Sequence, residues 1–96
     1  MAVLFRGAYR GIKFEESTSK WNHILKAGHL WKKVLGKNVT KKNVKNMIRR
    51  AIRNGKWTID KKGVFRITWR YNGNTIEVTG SIVKGFFRVG DAWVRR

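Results

Sequence analysis

The sequence predicts an α+β domain in which two or three N-terminal helices pack on one face of a four- to five-stranded antiparallel sheet. Three observations predict this. Apolar residues recur at spacings of three and four as far as residue 55 and alternate with polar residues after it. The dipeptide Asn54-Gly55 is typical of a helix end, and Asn72-Gly73 is typical of a hairpin turn. A length of 96 residues favours a single domain, with 1–16 a strand or an extension, 17–55 helical and 56–96 a β-meander.

Two helical segments are expected. The first begins after the hydroxyls of Ser17 and Ser19, which are favourable N-caps, and Gly36 supplies its C-terminal stop. Its apolar stripe consists of Trp21, Ile24, Leu25, Gly28, Trp31 and Leu35. The second begins near Thr40 and ends at Asn54-Gly55. Its expected buried residues are Val44, Met47, Ile48, Ala51 and Ile52.

Period-two alternation predicts the strands. Trp57 and Ile59 mark a short first strand. The second strand places Phe65, Ile67, Trp69 and Tyr71 on one face and Arg66, Thr68 and Arg70 on the other. Its hairpin partner directs Ile76, Val78 and Ile82 to the core and Thr75, Glu77, Thr79 and Ser81 to the polar face. Phe86 to Val89 form a fourth strand that residues 91–96 extend, and Val3 to Phe5 are a candidate for a further strand.

The charge of the chain predicts a polyanionic partner. Twenty-three Lys and Arg against five Asp and Glu give a formal charge of +18, which favours nucleic acid first and an anionic membrane second. The apolar residues are already used by core periodicities, which disfavours membrane disruption. There is no Cys and no Pro, and five Trp and five Phe favour a folded domain without disulfides.

No export signal is recognisable in the sequence. The apolar stretch from Ala2 to Phe5 is far shorter than the roughly 7 to 15 apolar residues of a signal peptide. We therefore expect the chain to travel as part of something larger if it acts outside the cell that made it.

A basic face on the second helix is the first candidate for binding. Lys42, Lys45, Arg49 and Arg53 lie opposite its apolar stripe. A run of cations is usually a solvated face, but the surplus here exceeds what solubility requires. We expect these residues to contact phosphates.

His23 and His29 are the candidates for proton transfer near neutral pH. On one continuous helix they lie about 120° apart, by the rotation of 100° per residue, and do not share a site. If Gly28 breaks the helix, His29 can turn towards the sheet. The alternative is that both are ordinary surface or capping residues.

The polar face of the sheet offers a carboxylate and a set of phosphate ligands. Glu77 is a candidate general base, or an ordinary cross-strand ion pair with Arg66 or Arg70. The hydroxyls and guanidinium groups of this face could clamp a phosphate, and they are Arg66, Thr68, Arg70, Thr79, Ser81 and Arg88. Alternating threonines are equally typical of an ordinary exposed strand.

Metal-dependent chemistry is not expected, and no cofactor is predicted. The five acids are spread over distinct elements, and a zinc site lacks Cys and sufficient His. Phosphate-loop and dinucleotide motifs are missing from the sequence. Metal-free RNA cleavage stays open, because the 2′-hydroxyl of the substrate is the nucleophile and the protein supplies only proton carriers and cations.

Several short strings resemble a C-terminal toxin domain of bacterial polymorphic and contact-dependent growth inhibition systems. They cover roughly Lys20 to Arg96 in the order of the predicted elements. The strings are Asn22-His23-Ile24-Leu25, Gly28-His29-Leu30-Trp31, Asn54-Gly55, Trp69-Arg70-Tyr71-Asn72-Gly73, Ile76-Glu77-Val78-Thr79-Gly80 and Asp91-Ala92-Trp93-Val94. Such domains resemble the fold group of barnase, EndoU, colicin D and RelE, which are metal-independent ribonucleases.

The resemblance implies a toxin that is secreted within a larger effector, enters the cytoplasm of a neighbouring bacterium and cleaves RNA, often tRNA. It also implies an immunity protein, which we expect to be acidic, and a monomer apart from that complex. The family histidines fall on His23 and His29, whereas Glu77, Thr79 and Arg70 join the catalytic candidates by their position on the sheet. Unlike the known ribonucleases of that group, this sequence has no separate C-terminal His. Either a strand residue takes over its role, or the two helical histidines converge.

The function predicted from the sequence is therefore metal-independent endoribonuclease activity, with one His activating the 2′-hydroxyl. The alternative is a non-catalytic basic protein of architectural or ribosomal type that binds nucleic acid.

Overall fold

A computed structural model describes residues 9–26 and 29–95 and has the α+β architecture that the sequence predicts. Its five strands form one sheet in the order β1-β5-β4-β3-β2. None of the helices in these ranges is long and apolar enough to cross a membrane. The elements are β1 Gly11–Phe14, α1 Thr18–Leu25, α2 Lys32–Leu35, α3 Lys41–Asn54, β2 Lys56–Ile59, β3 Phe65–Tyr71, β4 Asn74–Val83 and β5 Phe86–Val94.

The sheet is mostly rather than wholly antiparallel. β1 runs parallel to β5, with Gly11 opposite Phe86 and Phe14 opposite Val89. A parallel pair needs a long crossover connection, and the whole of the chain between these two strands provides it. The strand considered at Val3 to Phe5 lies outside the described residues.

The first predicted helix is broken into two, so the expectation of one continuous apolar stripe was wrong. α1 ends at Leu25 and α2 begins at Lys32. Between them Leu30 adopts a φ of 60°, a left-handed conformation that a bulky residue rarely takes. The indole Nε1 of Trp31 donates to Ile24 O at 2.8 Å, which satisfies a carbonyl that the helix end leaves without a partner. Gly36 follows α2 with a φ of 58°, as expected of a C-terminal stop.

α3 and the core form as the sequence predicts. The side chain of Thr40 caps α3 by accepting from the Asn43 amide at 3.1 Å, and the helix packs against β3 and β4. Gly55 is required by close approach, because a Cβ there would lie 2.7 Å from Thr68 O. The fully buried core side chains include Ile24, Val44, Ile48, Ile52, Ile67, Ile76, Val78 and Phe87. That every helix shares one face of the sheet stays a prediction.

The turns and one irregularity set the register of the meander. Asn72 and Gly73 both have positive φ, of 49° and 77°, as a two-residue hairpin turn of type I′ requires. The register between β4 and β5 shifts between Thr79 and Gly80, which is a β-bulge. A Cβ on Gly80 would lie 2.2 Å from Arg88 O, so the bulge needs glycine there. Beyond it, Asp91 is paired with Thr79.

Extension of the last strand is confirmed as far as Val94. Two apolar residues of the described strands are exposed, Ile59 in β2 and Val83 in β4. Ile59, which alternates with Trp57 in β2, is 48% exposed, because β2 is an edge strand and ends there.

Replacing either capping tryptophan should destabilise the fold. Trp57 Nε1 donates to Ile52 O at 2.9 Å, as Trp31 does to Ile24 O. Trp31→Phe and Trp57→Phe each leave a helix-end carbonyl without its donor, which should lower the free energy of unfolding by about 1–3 kcal/mol. Urea denaturation measures this. Trp69→Phe is the control, because the Trp69 indole N–H makes no hydrogen bond within the described chain, and an equal loss in that variant would contradict the capping role.

Candidate functional site

The candidate site forms along an open edge of β5. β1 pairs only with Phe86 to Val89, so no strand of the described residues lies on that side of the second half of β5. Its carbonyls are satisfied by side chains instead. Lys20 Nζ donates to Gly90 O and His29 Nδ1 donates to Ala92 O, both at 2.7 Å. Covering an edge strand in this way prevents pairing with another chain, and here it brings ionisable side chains together.

His23, His29 and Asp91 meet at this edge. His23 Nε2 lies 3.1 Å from Asp91 Oδ2, and His29 Nδ1 lies 3.8 Å from Asp91 Oδ1. The two imidazole rings are 4.9 Å apart, edge to face. The histidines therefore converge, as one of the two alternatives from the sequence required. Convergence depends on the broken helix, because His29 leaves the helical path after Leu25.

The hydrogen bond from His29 fixes its tautomer. A carbonyl only accepts, so Nδ1 carries the proton and Nε2 has the lone pair in the neutral ring. The side chain of His29 is 10% exposed, whereas that of His23 is 48% exposed. His23 is thus the solvent-exposed histidine of the pair, and His29 is the buried one.

Asp91 is the residue that sequence reasoning missed as part of the site. Its Oδ1 accepts from the amide of Ala92 at 2.9 Å, which orients Oδ2 towards His23. The bulge adds one residue to β5, so the alternation of side chains between the two faces of the sheet shifts by one residue before Asp91. Gly80 and Gly90 inside a strand pattern are the sequence signal for such a bulge.

The same three side chains can hold a metal ion. One donor atom from each of His23, His29 and Asp91 lies within 4.8 Å of the others. Two imidazoles and a carboxylate suit zinc or another transition metal, and the bond from His29 Nδ1 to Ala92 O resembles the outer hydrogen bond of metal-bound histidines. Asp91 is the ligand that the sequence did not reveal, because it is 62 residues from His29 along the chain. The ammonium of Lys20 beside Gly90 opposes a cation here.

Glu77 is engaged in ion pairs rather than poised as a base. It is buried, and Arg95 Nε donates to its Oε1 at 2.6 Å while the Arg66 guanidinium contacts Oε2. Two cations compensate this carboxylate, so it fits the cross-strand ion pair that the sequence analysis left as the alternative.

The other sheet candidates divide between near and far positions. Arg66, Thr79 and Asp91 lie in one row across three strands, so Thr79 is the β4 neighbour of Asp91. Arg70 lies opposite Thr75 and is four residues from Arg66 along β3, a distance of about 13 Å. Thr68 is in the row between them, and Ser81 faces Arg88 on the other side of the bulge. The structure thus does not gather the five catalytic candidates into one cluster.

The basic face of α3 is partly occupied. Glu16 accepts from Lys41 at 2.7 Å and from Lys45 at 2.6 Å, and Arg49 packs over the ring of Phe14. These two hydrogen bonds lower the pKa of Glu16 to about 2. Lys42 and Arg53 form no ion pair in the described part of the chain. Lys41, Lys42, Lys45 and Arg49 line a shallow groove there.

Acid should remove the contribution of Glu16 to stability. Its pKa is lower in the folded state than the ordinary value of 4.5, so the contribution is complete above about 4.5 and is lost as the pH falls towards about 2. In Glu16→Gln the free energy of unfolding should vary less with pH across that window, measured by urea denaturation. Glu15→Gln is the control, because Glu15 forms no ion pair in the described ranges. A flattening of equal size in both variants would contradict the assignment.

Comparison with known proteins gives a family. No curated protein and no solved structure matches the chain. A family model described as Bacterial toxin 35 matches residues 17–94. The match runs from the N-cap of α1 to the end of β5 and so contains Lys20, His23, His29 and Asp91. The chain belongs to the Bacterial toxin 35 family.

Proposed function

We propose that this toxin domain is an endoribonuclease that cleaves RNA through His23 and His29 without a metal ion. The observation that supports this most directly is the convergence of the two histidines with Asp91 at the edge of β5. Proton carriers beside a carboxylate, in a domain of charge +18, match what attack by the 2′-hydroxyl requires. Family membership supports a secreted toxin.

The geometry suggests a role for each group. His29 Nε2 accepts the proton of the 2′-hydroxyl, whose oxygen attacks phosphorus while the bond to the 5′-oxygen breaks. His23, doubly protonated, gives a proton to that leaving oxygen from Nδ1. Asp91 is the positioning residue that compensates the charge of His23, as the carboxylate does in a catalytic triad. The products are a 2′,3′-cyclic phosphate and a 5′-hydroxyl.

The partners follow from charge and from the family resemblance. tRNA is the first substrate to test, with action in the cytoplasm of a target bacterium. Surface cations hold the backbone, and an acidic immunity protein complements the same surface in the producing cell. The domain acts as a monomer outside that complex.

Cleavage of bacterial tRNA in EDTA tests the proposal. Ala in place of His23 or His29 should lower the rate by about 100-fold or more, the usual contribution of a proton-transferring side chain. Binding of a 2′-O-methyl RNA, which lacks the nucleophile, should change by less than about threefold. Equal cleavage by wild type and both variants in EDTA would refute the role of the histidines.

Conservative variants separate catalysis from folding. His29→Asn keeps a donor for Ala92 O and His23→Gln keeps one for Asp91 Oδ2, but neither amide transfers a proton at neutral pH. Both should melt within a few degrees of wild type and be inactive. Retained activity in His29→Asn would make His29 a support for β5 rather than a catalytic residue.

The EDTA condition also separates two other candidates. Activity that disappears in EDTA and returns with zinc would favour hydrolysis by a metal bound to His23, His29 and Asp91, the cluster that makes this alternative specific. RNA that stays intact with and without metal, yet is bound, would favour the non-catalytic binding protein.

A further inference from the structure

A cleft lies beside the histidine site, at the β-bulge between β4 and β5. Its walls carry two cations, two hydroxyls and exposed apolar side chains, namely Lys20, Arg88, Thr79, Ser81, Val64 and Val83. Gly80 and Gly90 at the bulge also line the cleft, and a Cβ on Gly90 would lie over the backbone of Thr79 and Gly80. Thr79 connects it to the histidine site through its pairing with Asp91.

Lys20 lines the cleft and also lies on α1 close to His23 of the histidine site. It precedes His23 by three residues on α1, and residues at this spacing lie on the same side of a helix. One N–H of its ammonium donates to Gly90 O, and the other two have no partner among the described residues and can bind an anion. His23 also reaches β5 from this side of the helix, through Asp91. An anion bound by Lys20 therefore lies next to the proton carriers.

Arg88 is the second cation of the cleft. It is exposed, lies opposite Ser81, and forms no ion pair with the carboxylates of the described residues. By contrast, Arg66 and Arg95 are committed to Glu77. Arg88 therefore keeps its full set of donors for a phosphate, to which guanidinium binds with two parallel hydrogen bonds.

The apolar part of the cleft suits more than a bare phosphate. Val64 and Val83 are 38% and 39% exposed, among the few large apolar side chains at the surface. A ribose or base packed on them would bury that area beside the hydroxyls of Thr79 and Ser81. Glu15 also lines the cleft and opposes an anion, although Ser17 Oγ donates to its Oε1 at 3.3 Å.

We propose that the bulge cleft is the subsite for the nucleotide at the cleaved bond, with its phosphate between Lys20 and Arg88 and its nucleoside against Val64 and Val83. This inference rests on the proposed ribonuclease function. It assigns substrate recognition next to the histidines to β4 and β5, and leaves α3 to contact backbone farther along the RNA.

Nucleoside 3′-monophosphates test the subsite as product mimics, by amide chemical shifts of the 96-residue chain. Binding should move the signals of Thr79, Ser81 and Gly90, and inorganic phosphate should bind at least several times more weakly. Arg88→Ala should weaken binding about tenfold, the size expected of a charge-assisted pair. Lys37→Ala, which removes one charge elsewhere, should change it less than twofold, and Glu15→Gln should strengthen it.

Shifts confined to the α3 groove, or phosphate binding as tight as nucleotide binding, would overturn the subsite. The result is independent of turnover, because the probes are not cleaved. Cleavage of RNA without shifts in the cleft refutes the subsite alone. Shifts in the cleft without cleavage refute the catalytic proposal and leave a nucleotide-binding cleft.

Discussion

The carbonyls along the second half of β5, which no strand of the described residues pairs on that side, are the constraint on which the candidate site depends. A buried carbonyl without a donor costs about 1–3 kcal/mol, so Ala92 O must find a partner once β1 has ended, and the half-buried Gly90 O finds one as well. Lys20 and His29 supply them. If β1 were longer, its backbone amides would donate to Gly90 O and Ala92 O. The side chains of Lys20 and His29 would then not be needed as donors at β5.

That constraint links local structure to chemistry. His29 reaches Ala92 only because the helix breaks after Leu25, and the break is held by Trp31 through its bond to Ile24 O. The strained backbone of Leu30 beside His29 is the kind of outlier that collects at functional sites. The bond that satisfies β5 also sets the tautomer of His29. One hydrogen bond thus meets a structural requirement and sets the tautomer that the proposed mechanism uses.

Much of the architecture could be predicted from the sequence, because its signals are local. Caps at Ser17 and Thr40 and the positive φ at Asn72-Gly73 depend on neighbours in the chain, and they are confirmed. The parallel pairing of β1 and the bulge at Thr79 depend on contacts distant in sequence. Asp91 was therefore missed, and the choice between the two interpretations of Glu77 depends on Arg66 and on Arg95, which is distant in sequence. The sequence predicts that the two histidines converge only on the condition that the helix breaks at Gly28.

The proposed role of His23 and His29 is to transfer protons for attack by the 2′-hydroxyl of RNA. It is tested most directly by the ends of the products formed in EDTA, analysed by mass spectrometry of a short RNA of defined sequence. The account predicts a 2′,3′-cyclic phosphate on one fragment, a 5′-hydroxyl on the other, and no cut where a single 2′-deoxy nucleotide precedes the cleaved bond. A 5′-phosphate, or cleavage at the deoxy position, would contradict it.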